Sequence, residues 1–88
     1  MPVHLNGLPA CMNKIRKISK KFNLHIIEDA AQSILSKYDG KYIGNQKNLA
    51  CFSMHPTKNL GVLGDGGFIS TNDKSLFEKL KLLRNHGL

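Results

Sequence analysis

The amino-acid sequence predicts an α/β fold with a sheet that is at least partly parallel, in a chain that is a slice of a larger domain. Three observations carry this. Short apolar runs alternate with stretches of helical periodicity in the order helix, strand, hairpin, strand, glycine-rich loop, strand, helix, a pattern of crossover-linked strands rather than of a bundle or a sandwich. The runs Leu24–Ile27 and Leu49–Phe52 are nearly continuous in apolar character, as strands covered on both faces are. Three strands and two helices are too few to cover both faces of such a sheet, so a chain of 88 residues leaves part of it open.

Each element has a local cause. Cys11, Ile15, Ile18 and Phe22 recur at spacings of 4, 3 and 4, the stripe of an amphipathic helix, which leaves Lys14, Arg16, Lys17, Lys20 and Lys21 on its solvent arc. The β-branched run Leu24-His25-Ile26-Ile27 stops at Glu28-Asp29 and reads as a buried strand with two acids at its carboxyl end. Asp39-Gly40 stands between two tyrosine-containing segments in residues 37–44, a short-hairpin signal. Leu49–Ser53 is a second apolar strand, and 54–67 is a loop holding Gly61, Gly64, Gly66 and Gly67. Phe68–Thr71 resumes strand character. Asp73 then caps a helix with Leu76, Leu80 and Leu83 on one face, Phe77 beside them and Gly87 at its stop.

Composition narrows the function. The chain is 41% hydrophobic and 22% charged, which is globular, with a formal net charge of +7. No apolar run approaches the roughly 20 residues needed to cross a bilayer, and Met1–Asn6 has neither a basic n-region nor an apolar h-region. The expectation is a cytoplasmic protein with no membrane association. Cys11 and Cys51 show no C-x-x-C or Cys/His spacing, so neither a disulfide framework nor a metal site is indicated, and both read as buried thiols. The basic cluster at 14–21 gives the alternative reading, a non-catalytic module binding nucleic acid or another polyanion. No aromatic residue interleaves those charges and no nucleic-acid motif accompanies them, which favours a solvated helix face.

Ligands in open α/β sheets gather beyond the carboxyl ends of the strands, where Asp29, Ser53 and the loop bearing Lys58 fall. That loop is no Walker A, and G-x-G-x-x-G fails because Ile69 takes the last glycine's place. A Cys51/His55 nucleophilic pair is conceivable, but Cys51 lies in an apolar run and reads as a core thiol. Lys58 has no neighbouring charge until Asp65. Desolvation can lower such an amine's pKa and let it attack a carbonyl to form a Schiff base; on spacing alone an ordinary surface lysine is the stronger reading.

Four stretches taken together are more specific: Glu28-Asp29-Ala30-Ala31-Gln32, the run Cys51-Phe52-Ser53-Met54-His55-Pro56-Thr57-Lys58-Asn59-Leu60-Gly61-Val62-Leu63-Gly64-Asp65-Gly66-Gly67, Thr71-Asn72-Asp73, and Leu83-Arg84-Asn85-His86-Gly87. They resemble the DegT/DnrJ/EryC1/StrS family of pyridoxal-phosphate-dependent sugar aminotransferases, as does the opening Pro2-Val3-His4-Leu5. The resemblance implies the aspartate aminotransferase-like (type I) fold, with residues 1–88 as a central segment of the PLP-binding large domain; the N-terminal part and the C-terminal small domain would lie outside it. It implies that Lys58 is the catalytic lysine that bonds to pyridoxal 5'-phosphate, that Asp29 pairs with the pyridine nitrogen, that Gln32 contacts the ring hydroxyl and that Ser53 binds the phosphate. The reaction implied moves an amino group from an amino acid, glutamate, to a nucleotide-linked keto-deoxysugar in amino-sugar or polysaccharide biosynthesis, in a homodimer.

The wording Lys58 to Gly67 resembles the branch acting at sugar C3 more than C4, and Lys rather than His at position 58 argues against the dehydratase branch. Two departures touch local turns. Ile34-Leu35 stands where the family often has His-Gly, and Lys47-Asn48 where it has Gly-Asp. His55 and Asn59 flank the site without an assignable role. Alone, the 88 residues are expected to lack activity, because phosphate, stacking and partner-subunit contacts fall outside them.

Overall fold

In a computed structural model, which describes all 88 residues, the elements follow the expected order. They are α1 (Met12–Phe22), β1 (Ile27–Asp29), β2 (Lys37–Tyr38), β3 (Lys41–Tyr42), β4 (Leu49–Ser53), β5 (Gly67–Ser70) and α2 (Lys74–Arg84). The main sheet has the order β1-β4-β5, with β1 and β4 parallel and β4 and β5 antiparallel. A parallel bridge from Val3 to Asp29 adds the N-terminal segment outside β1.

Burial alternates along β4, where Ala50 and Phe52 are buried and Leu49, Cys51 and Ser53 are half-buried. A period of two sends Glu28, Ala50, Phe52 and Phe68 to one face and Asp29, Cys51, Ser53 and Ile69 to the other. The first face is covered within the chain over Glu28, Ala50 and Phe52, while Phe68 at its edge is exposed. Ala30 and Ile43 close over Ala50 and Phe52, with Ile34 and Tyr38 packed against them, and the Phe52 and Phe68 rings stack with centroids 4.6 Å apart. The β2–β3 hairpin completes that cover. Its turn residues Asp39 (φ 49°) and Gly40 (φ 75°) both lie in the left-handed region, as a two-residue primed turn demands.

The structure corrects three expectations. The first strand is not Leu24–Ile27: Leu24 and Ile27 are exposed, and the strand runs through the acids as Ile27–Asp29. Glu28 is consequently a fully buried strand residue rather than a strand-end acid. The reason is a cap, because Asn23 takes the left-handed conformation and Leu24 N–H bonds back to the Ser19 carbonyl, so the helix end consumes the start of the apolar run. In α1 the buried residue is Met12, while Ile18 and Phe22 of the predicted stripe are exposed. Nor are both thiols buried: Cys11 precedes the helix and is exposed, and Cys51 is half-buried. The α1 basic residues lie on its solvent side as expected, with Arg16 alone half-buried. No helix is long and apolar enough to cross a membrane.

Candidate active site

The carboxyl ends of the parallel strands and the bridged N-terminal segment open onto one cavity of about 410 Å³. Three loops wall it: Asn6-Gly7 after the bridge, Ala31–Ile34 after β1, and Ser53 with Thr57–Asn59 after β4. Only Ala31 and Ile34 among its ten lining residues are apolar, so this is a site for a polar ligand. Gln32, Ser53 and Lys58 thus come together from positions spread over 26 residues of chain.

Local bonds set the donors. The Gln32 side-chain oxygen accepts the Asn6 N–H at 2.9 Å, which leaves its amide N–H groups to donate elsewhere. Ser53 Oγ accepts the His55 N–H at 3.2 Å, so its own proton is free to donate. The Lys58 turn is built by His55, whose carbonyl accepts the Lys58 N–H at 2.8 Å and whose Nδ1 accepts the Thr57 N–H at 3.3 Å. Gly61 is required there, since a Cβ at that position would stand 2.8 Å from the Pro56 carbonyl oxygen. Lys58 itself is half-buried.

Asp29 is not among the lining residues. It pairs in register with Cys51, two residues before Ser53, so it shares the Ser53 face of the sheet. One carboxylate oxygen accepts the Ala31 N–H at 3.1 Å, leaving lone pairs for a cationic or N–H partner. Its proximity is felt by Cys51, whose thiol is pushed up from the ordinary value first by burial and then by the Asp29 carboxylate. With its thiolate disfavoured and His55 engaged by Thr57, which also lies 2.9 Å from Nδ1 through its hydroxyl, the Cys51/His55 nucleophile is not assembled.

A model of the DegT/DnrJ/EryC1/StrS aminotransferase family matches residues 1–88. The chain belongs to this family. It is similar to the dTDP-3-amino-3,4,6-trideoxy-alpha-D-glucose transaminase of Streptomyces venezuelae, at 48% identity over 99% of this chain and 23% of that protein. The UDP-N-acetyl-3-dehydro-alpha-D-glucosamine 3-aminotransferase of Acidithiobacillus ferrooxidans is also 48% identical, over 99% of this chain and 24% of its own length. Among solved structures, S. venezuelae DesV in complex with a ketimine intermediate superposes with a TM-score of 0.90 at 46% identity, covering 98% of this chain and 23% of that one. The chain therefore spans about a quarter of the length of these relatives, and its architecture is a partial α/β aminotransferase-like domain. Within the family frame the residues present suit pyridoxal phosphate. The cavity offers an amine, a free hydroxyl proton and an oriented amide donor, and the Asp29 carboxylate, with lone pairs left beside its bond from the Ala31 N–H, stands on the Ser53 face of the sheet. Sequence reasoning missed Asn6, because its bond to Gln32 exists only once the loops meet, and left His55 unassigned although the bonds by which it braces the Lys58 turn span only two or three residues.

Proposed function

We propose that the protein is a pyridoxal-phosphate-dependent aminotransferase that transfers an amino group from an amino acid to a nucleotide-linked keto-deoxysugar. Residues 1–88 are read as the central segment of its large domain, with Lys58 catalytic and Asp29, Gln32 and Ser53 holding the cofactor. The observation that carries this reading is the convergence of Lys58, Gln32 and Ser53 on one polar cavity at the carboxyl end of the sheet. When bound, the cofactor supplies a conjugated ring that accepts the electron pair left by a departing proton. Asp29 would keep a proton on the ring nitrogen and so sustain that acceptor. Gln32 would donate its side-chain N–H to the ring oxygen, and Ser53 its hydroxyl to the phosphate. Lys58 would anchor the cofactor through Nζ, and the same amine, when free, would be the base that moves the substrate proton.

Amination at sugar C3, rather than C4, is supported by the Lys58–Gly67 wording and by the names of both relatives at 48% identity, one naming a 3-amino sugar and the other a 3-dehydro sugar with a 3-aminotransferase. Glutamate as donor and a homodimeric assembly rest on the family resemblance. The test is titration of the full-length gene product with pyridoxal phosphate, followed by borohydride reduction and peptide mapping. Label confined to Lys58, and lost in Lys58→Ala together with amino transfer, is the expected result. Cofactor fixed on another lysine overturns the assignment.

A further inference from the structure

The proposed reaction leaves unused the two fully buried titratable side chains, His4 and Glu28. His4 Nε2 and Glu28 Oε1 are 2.8 Å apart. His4 Nδ1 accepts the Ala10 N–H at 2.9 Å; it therefore carries no proton, and Nε2 donates the ring's proton to Glu28. The second Glu28 oxygen accepts from Nδ2 of Asn48, just before β4. Every polar atom of both side chains is thus satisfied, as burial requires. The His4 main chain is engaged as well: its N–H donates to the Asp29 carbonyl at 3.0 Å, and its carbonyl accepts the Ser33 hydroxyl at 2.6 Å.

One residue therefore joins the entry to α1, β1, the turn after β1 and, through Glu28, the entry to β4. Two of these joints, and one residue two positions along the chain, lead toward the site. Asp29 is bonded to His4 through its carbonyl, Gln32 is the neighbour of Ser33, and Asn6, which fixes the Gln32 amide, follows His4 by two residues. We propose that His4 is a positioning residue: with Glu28, Asn48, Ala10 and Ser33 it fixes Asp29 and Gln32 relative to one another before a ligand arrives. This rests on the pyridoxal phosphate reading, in which Asp29 would hold the ring nitrogen and Gln32 the ring hydroxyl. A strand-to-loop joint held by a directional, buried network tolerates little displacement, and misplacement by about 1 Å costs on the order of 100-fold in a site that depends on orientation.

The test measures pyridoxal phosphate affinity and Lys58 trapping in the full-length gene product, with the melting temperature followed in parallel. His4→Gln retains one donor and one acceptor and should stay within about threefold of the parent affinity, because both bonds can be remade. His4→Phe fills the space but makes neither bond, and should weaken the cofactor by about tenfold to a hundredfold at temperatures where it is fully folded. Asn48→Leu covers the case in which the Phe variant does not fold: it keeps the volume and leaves His4 in place but removes the donor to the second Glu28 oxygen, and should weaken the cofactor by about threefold to tenfold in the folded protein. A purely structural role would lower the melting temperature while leaving the affinity of the folded protein unchanged. A folded His4→Phe or Asn48→Leu variant that binds like the parent overturns the proposal. Failure of the parent to trap cofactor at Lys58 refutes the function and this role with it, whereas normal trapping that ignores these substitutions refutes the role alone.

Discussion

Leu35 carries strain that its side chain does not offset. Its φ is 63° and it is 76% exposed, at the place where the family often has glycine. The left-handed conformation costs an L-residue roughly 1–2 kcal/mol, and glycine's greater unfolded-state freedom gives back roughly 0.5–1 kcal/mol of any gain. Leu35→Gly should therefore stabilise the protein by about 0.5–1 kcal/mol, read as a rise of a few degrees in Tm; a fall would mean that Leu35 makes a contact worth more than the strain. The two thiols differ in the opposite sense. The Tyr38 hydroxyl, 3.7 Å from Sγ, together with the Lys14 backbone N–H, draws the exposed Cys11 thiol below its ordinary value, while burial and then Asp29 hold Cys51 above it. Thiolate, the reactive form, appears at lower pH on Cys11. Iodoacetamide should label Cys11 first across neutral pH, and Tyr38→Phe should move its labelling profile toward higher pH. Equal rates at the two cysteines would refute this.

At the scale of elements, α2 depends on its own ends. It buries none of its residues, and the Asp73 carboxylate accepts the Leu76 N–H at 3.0 Å. With only Leu76 and Leu80 half-buried to compensate, Asp73→Ala should cost about 1 kcal/mol of helix stability, seen as faster amide exchange confined to 74–84. Unchanged exchange would show that other contacts hold the helix. The same element was legible in the sequence because a cap and a stripe are local signals. β1 was legible as a strand but not in its bounds. The Asn23 turn decides where it starts, and its in-register pairing with Leu49–Cys51 draws Glu28 and Asp29 into the ladder.

At the scale of the molecule, the chain is a slab of 41 × 35 × 18 Å. Its accessible surface is 6685 Å² and its radius of gyration 13.6 Å, against about 5,200 Å² and about 12 Å for a compact monomer of this size. Eight residues are buried, and Ile27, Ile69, Phe77 and Leu83 are among the large apolar side chains left exposed. Apolar area on that scale is a site of association. The 88 residues expressed alone should bind a hydrophobic dye and elute from size exclusion at a concentration-dependent volume. A dye-silent, monodisperse monomer would show that the open face is closed by a rearrangement absent from this structure.

What the sequence by itself determined are the features written in neighbouring residues: the order of elements, the hairpin at Asp39-Gly40, the Asp73 cap, and the motif that carries Lys58, Ser53, Asp29 and Gln32. Backbone conformation and hydrogen bonds within a few residues follow from local composition, so periodicity and turn chemistry reveal them. Only the tertiary structure decided that Gln32 is oriented by Asn6, and that the acid at position 28 is buried against His4 and Asn48 while its neighbour Asp29 faces the other side of the sheet. The Asn6–Gln32, His4–Glu28 and Glu28–Asn48 contacts join residues 26, 24 and 20 positions apart. Nothing local specifies such pairs: they exist because register in a parallel sheet assigns alternate residues to opposite faces, and a one-residue difference in where β1 begins exchanges the two acids.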